Sequence, residues 1–245
     1  MMNAEVRKKA LTKVKVKNLT FLAVLSYVFY WLSQFARGAT GDVLRDALIG
    51  AGTALVLSLF FPAGLARASM TAWRQNEARF STYFASFYRP RALVRALALG
   101  VVAAVFRFCL SYLLTDAVLL RFDALPGHGL WLLAIAVILF VPLLFAWFFL
   151  YFALELQPEI GLGKALARGM RVIVQNGVRI LTMEFVILWW VVLAYAAAVV
   201  ISIASGLGGA VLNAVTSLIA LVLTWMIGAY VCLVNAGLAR EIFKD

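Results

Sequence analysis

Six long apolar runs alternate with polar stretches, and the basic charge of those stretches falls almost wholly on every second one. A hydrocarbon core of about 30 Å is crossed by about 20 apolar residues in helical form. Backbone groups in lipid must be satisfied within the segment or around a closed barrel, and these runs lack the period-2 alternation of a membrane β-strand. The expected fold is therefore all-α: a polytopic membrane helix bundle of six transmembrane helices, with 1–245 as a single integral membrane domain. Composition agrees, since 13% of residues are charged against about a quarter in a soluble domain. The expected spans cover about 18–36, 47–67, 93–115, 129–154, 180–205 and 210–238.

Charge orients the bundle. Residues 1–17 form a basic N-terminal segment, and the even-numbered connections are basic as well. Of the 22 Lys and Arg, 18 fall in these stretches (with Arg95) and the C-terminal tail (Arg240, Lys244), three (Arg37, Arg45, Arg121) fall in the others, and Arg107 falls inside a span. Such a bias predicts both termini on the cytoplasmic side. It also accounts for the net charge of +11 without nucleic acid as a partner. The two cysteines, Cys109 and Cys232, lie in apolar runs, so they form neither a disulfide framework nor a metal cluster.

The expected cytoplasmic connections are amphipathic. In 1–17, Val6, Ala10 and Val14 recur every four residues, which predicts a short helix on the membrane surface. Phe80, Tyr83, Phe84 and Phe87 fall at i, i+3, i+4 and i+7, one aromatic face of an interfacial helix. Lys164, Arg168, Arg171 and Gln175 line one face of a second such helix, with Leu162, Leu166, Met170 and Ile173 on another. Pro62 and Pro142 lie within the second and fourth spans and predict kinks there. Ala194, Ala198, Ser202 and Gly206 make a small-residue stripe for close helix approach.

The pentapeptide Ala63–Arg67 (AGLAR) recurs at Ala236–Arg240, with a related ALARG at Ala165–Gly169. A hairpin unit used three times would produce this echo, as would the commonness of these residues at helix ends. The basic start, the FFPAGLAR ending of the second span, the spacing of Phe80, Phe84 and Phe87, and the ALARGMRVIVQNGVRILTMEF passage before a Trp-bearing fifth span together resemble domain-of-unknown-function family 975. The resemblance implies a six-helix protein of the bacterial plasma (inner) membrane and carries no activity or functional residues.

Few groups carry chemistry. Arg107 lies about 18 Å along its helix from the inner end, where an Arg costs about 2.5–3.5 kcal/mol to insert. It would line an anion path or headgroup site, or reach outward towards Asp116 or Asn213. Glu184 sits one turn inside the fifth span. Pairing with Arg95 or Arg179, protonation, and a proton-relay or cation-coupling role are its alternatives. Lys164, Arg168 and Arg171 form a basic cytoplasmic face suited to anionic lipid headgroups or a protein partner. The single histidine, His128, excludes a multi-His metal site within the chain. GLGKA at Gly161–Ala165 lacks P-loop spacing, and there is no G-x-S-x-G. We expect no cofactor, no metal and no enzymatic activity. A permease-like transport component and a non-catalytic scaffold are the two readings the sequence supports.

Overall fold

The computed structural model describes residues 2–13, 18–32, 42–113, 141–186, 189 and 209–243, and every element among them is helical. In chain order these are α1 (Met2–Lys13), α2 (Leu19–Leu32), α3 (Val43–Ser58), α4 (Ala63–Gln75), α5 (Phe80–Tyr83), a 3-10 turn (Phe84–Phe87), α6 (Pro90–Leu113), α7 (Val141–Leu156), α8 (Leu162–Gln175) and α9 (Gly209–Ile242). Residues 177–186 are helical as well. Among the described residues one stretch, Leu44–Gln75, is long and apolar enough by length and composition to cross a membrane. The first part of the expected span at 129–154 (129–140), most of that at 180–205, and all of the small-residue stripe from Ala194 lie outside the described residues.

The centre of the packing is α4, an element the hydropathy pattern did not separate. The second expected span runs on to residue 67, with a kink at Pro62. Instead α3 ends at Ser58, and a turn containing the cis Phe61–Pro62 peptide leads into a new helix at Ala63. Pro62 lacks the N–H a continuous helix would use. Ala63 through Met70, Ala72 and Trp73 are all buried. Small side chains (Ala63, Gly64, Ala66, Ala68, Ala72) let neighbours approach from all sides, and α2, α5, α7 and α9 pack on it.

Two of the echoed glycines are where that approach is closest. A Cβ on Gly64 would lie 2.6 Å from the Tyr83 carbonyl oxygen, and one on Gly237 would lie 2.6 Å from the Trp73 ring. In ALARG, a Cβ on Gly169 would come within 2.7 Å of Leu150. The repeated pentapeptide thus marks the same packing device twice, a glycine seating an aromatic residue's side chain or backbone. Its arginines have different surroundings: Arg67 is buried and Arg240 half-buried.

The capping chemistry is local. Asp42 accepts from the backbone N–H groups of Leu44 (2.9 Å) and Arg45 (3.1 Å) at the start of α3, as an N-cap aspartate should. Asn76 adopts a left-handed φ of 58° at the end of α4, and its N–H donates to the Ala72 carbonyl. Lys13 from α1 donates to the Trp73 carbonyl at 2.8 Å and to the Asn76 side chain. Lys9 and Lys13 also stand 5.4 and 5.8 Å from the Trp73 ring centre, within cation–π range.

Three interfacial expectations are corrected. Val6 and Ala10 of α1 are buried in the core, and α1 packs on α9, so this stripe is covered by protein and not by a membrane surface. The aromatic residues 80–87 do not form one helical face, because the chain makes one short α-turn and then a 3-10 turn. Tyr83 turns inward with no exposure, while Phe87 stays exposed. The hydroxyl of Ser26 donates to the Leu22 carbonyl (2.8 Å), so the Tyr83 phenol 2.7 Å away donates to Ser26. Burial pushes that phenol up to about 12 and keeps its proton in place. Finally, α8 is amphipathic as expected, but its fully buried stripe is Ala165, Gly169 and Ile173, and Met170 is half exposed. Small residues win the inner face because α8 packs closely on α7.

α3 and α6 form a hairpin. Ser58 donates to the Ala96 carbonyl at 3.3 Å, and a Cβ on Gly100 would meet Ser58 and Leu55, so the two helices run antiparallel. These contacts generate a stability test. Gly237→Ala should cost about 1–3 kcal/mol by overpacking against Trp73 and lower the thermal unfolding midpoint of the detergent-solubilised protein. Gly52→Ala on α3, where nothing lies within 4 Å, should raise it through about 1 kcal/mol of helix propensity.

Candidate functional site

Polar groups gather in two places: a buried centre around Arg67, and an open basic groove beside α8. At the centre, Arg67 is 5% exposed. Its Nε donates to Glu155 at 2.7 Å, Nη1 to the Ser86 hydroxyl at 2.6 Å, and Nη2 to the Ala92 carbonyl at 3.1 Å. Ser86 passes its own hydrogen to the Leu59 carbonyl at 3.3 Å. The planar fork of a guanidinium serves these directions at once, which a lysine could not. One side chain thereby ties α4 to α7, to the 3-10 turn and to the start of α6.

Arg95 performs a second closure. Its Nη1 donates to the Leu154 carbonyl at 2.7 Å, and its Nη2 lies 2.6 to 3.0 Å from the carbonyls of Gln157, Pro158 and Ile160. These carbonyls lie at and beyond the end of α7, where helix acceptors run short of intrahelical partners, and a cation there also complements the helix dipole. Arg95 is therefore a helix cap and not the partner of Glu184. Arg179 is not that partner either: it lies 3.4 Å from Glu241.

Glu184 is 3% exposed, and its side-chain hydrogen-bonding partner is Asn235 of α9. Among the described residues no Lys or Arg pairs with it. Asn235 is fully buried, donates to the Val231 carbonyl at 3.2 Å, and keeps its Oδ1 without a partner among the described residues. Cys232, one turn earlier, lies within hydrogen-bonding reach of Ser69 and near Glu184. An interhelical polar cluster thus stands where an ion pair with Arg95 or Arg179 was one of the alternatives the sequence offered.

The groove has a volume of about 680 Å³. Lys164, Arg168 and Arg171 of α8 line it, together with Arg179 and with Ile242 and Phe243 at the end of α9. The three α8 cations are exposed, and among the described residues none of them forms an ion pair. Their spacing of four and three places them on one helical face. The three residues that the sequence puts on one helical face line the same groove. Arg107 lies within α6 and Asn213 within α9, with side chains outside the described residues, and Asp116 is outside them altogether.

Sequence reasoning missed the Arg67–Glu155 pair. Arg67 had been counted among the cytoplasmic loop charges, although a signal was present: it is embedded in AGLARASMTA, whose small residues suit a helix packed on every side. Breaking the pair from one end leaves a buried charge uncompensated, at a cost of about 3–5 kcal/mol. Glu155→Gln and Arg67→Met should each lower the unfolding midpoint sharply. The double variant Arg67→Met, Glu155→Leu should recover much of that loss, measured by thermal melting of the solubilised chains. No family model, curated protein or solved structure matches this chain.

Proposed function

We propose that this chain is a bacterial multi-pass inner-membrane protein with six spans and both termini in the cytoplasm. Its role is that of a non-catalytic interaction protein, whose basic cytoplasmic face engages anionic lipid headgroups or an acidic protein partner. The membrane assignment is supported by the six apolar runs and by the gathering of basic charge in alternate connections. It is supported too by apolar stripes turned outward, Val94, Val101, Val102 and Val105 on α6 and Leu218, Val222, Trp225 and Met226 on α9. Exposed stripes of this kind are poorly suited to water and well suited to acyl chains.

The observation that carries the interaction reading is the contrast between the two polar places. Arg67 and Arg95 are fully engaged in holding helices together, whereas Lys164, Arg168 and Arg171 face an open groove. At about 1 kcal/mol of attraction to an anionic leaflet for each basic residue near the surface, neutralising those three removes about 3 kcal/mol. Lys164→Gln, Arg168→Gln, Arg171→Gln should therefore strongly reduce the anionic lipid or partner that co-purifies with the protein. Unchanged lipid and partner content would overturn the reading. Cysteines introduced near both ends should be labelled from the cytoplasmic side alone.

A transport role is the second reading, favoured by Glu184, a buried carboxyl with an amide and no cation beside it among the described residues. Such a group can carry a proton or couple a cation in membrane carriers. Vesicles containing the purified protein should then move a solute or protons, and Glu184→Gln should abolish that movement while leaving the unfolding midpoint near wild type. Movement indifferent to Glu184→Gln would leave the carboxyl a structural group.

A further inference from the structure

Resting on the interaction reading, we infer that the α8 groove is a discrete site for one phospholipid with a terminal phosphate, and not merely part of a diffuse cationic surface. The first argument is charge. Three cations without acid partners among the described residues converge from one helical face, and a fourth, Arg179, lines the same groove. A phosphomonoester carries close to two negative charges at neutral pH and three strong acceptor oxygens. It matches such a cluster better than a singly charged diester does, because arginine forks pair bidentately with phosphate oxygens.

The second argument is shape. About 680 Å³ is within the usual range for a small-molecule site, and a flat patch of surface lysines would enclose nothing. The third is the groove's mixed character. Ile160, Val172, Ile242 and Phe243 contribute apolar wall beside the cations, and bare phosphate has nothing to place there. Next to the groove in the chain, Val174, Val178 and Phe185 are 76%, 83% and 72% exposed. Val174 at the end of α8, and Val178 and Phe185 in the helical residues 177–186, offer apolar surface on which acyl chains can lie. A phosphate head with a hydrocarbon tail is the ligand class that uses every part of this surface.

The nearby acid supplies an internal check. Glu241 lies 3.4 Å from Arg179 and adds negative charge at the edge of the groove. An incoming phosphate competes with it, so Glu241→Gln should tighten binding.

The test uses the full chain in a nonionic detergent, titrated with dihexanoyl phosphatidic acid and read by native mass spectrometry. Dihexanoyl phosphatidylcholine and inorganic phosphate serve as the comparison ligands. One phosphatidic acid should bind saturably per chain, and tighter than either comparison. Arg168→Gln, Arg171→Gln should weaken it about tenfold or more, the size of losing one charge-assisted hydrogen bond. Phe243→Ser should weaken phosphatidic acid but not inorganic phosphate. Variants are compared only at matched unfolding midpoints, and Lys164→Gln stands in if the double variant does not fold.

Inorganic phosphate binding as tightly as the lipid would overturn the inference in favour of a free-anion site. Equal binding of phosphatidylcholine, or indifference to both Phe243→Ser and the arginine variant, would overturn it in favour of non-specific detergent-like uptake. Loss of co-purified anionic lipid in the triple Gln variant without saturable binding would remove the discrete site and leave the interaction reading standing. Absence of both effects would remove the two together.

Discussion

A single buried guanidinium holds the polar interior together. Taking Arg67 out of water is costly unless its hydrogens are met, and the chain meets them from three elements: Glu155 of α7, Ser86 of the 3-10 turn and the Ala92 carbonyl of α6. The rest of the centre follows from accommodating it. α4 is built of small residues so that neighbours reach Arg67 closely, and the helix break at Pro62 lets α4 leave the line of α3. Arg95, three residues after Ala92, then closes the end of the helix that carries Glu155. One helix is thereby held both by an ion pair and by a cap, two different uses of arginine within a short stretch of α6 and its partner.

This arrangement separates structural charge from charge open to partners. Arg67 and Arg95 meet acceptors inside the protein, and Glu184 meets an amide. Lys164, Arg168 and Arg171 meet the groove. In a protein this poor in charge, the position of each cation is the main clue to its role. Burial with hydrogen bonding marks a scaffold, and concave exposure without an acid partner among the described residues is what the proposed anion site rests on. The apolar stripes on α6 and α9 complete the same division, since they turn hydrocarbon outward where a bilayer would receive it.

Much of the architecture was legible from the residues, for identifiable reasons. The helical character follows from hydropathy and the absence of strand alternation, and α8 was readable because its cations repeat at helical spacing. Lys164, Arg168 and Arg171 share one face of that helix for the same reason. The break between α3 and α4 was only partly visible, since Pro62 signals an interruption but not whether the chain kinks or restarts. The aromatic residues 80–87 were misread because regular spacing mimicked one helix, while Asn76 and the 3-10 turn set the actual path. The inner face of α8 was misjudged because large apolar residues were favoured over Ala165 and Gly169, although close helix packing selects small ones.

What the sequence by itself determined is the helical class, the apolar runs and the stretches in which basic residues collect, because these are local properties of composition and period. What only the tertiary structure decided is the partner of each polar group. Arg67 meets Glu155 across 88 residues, Arg95 meets the end of α7 across about sixty, and Glu184 meets Asn235 from another helix. Such pairings are set by which helices pack together and by how they are rotated, and hydropathy along a single segment holds neither quantity.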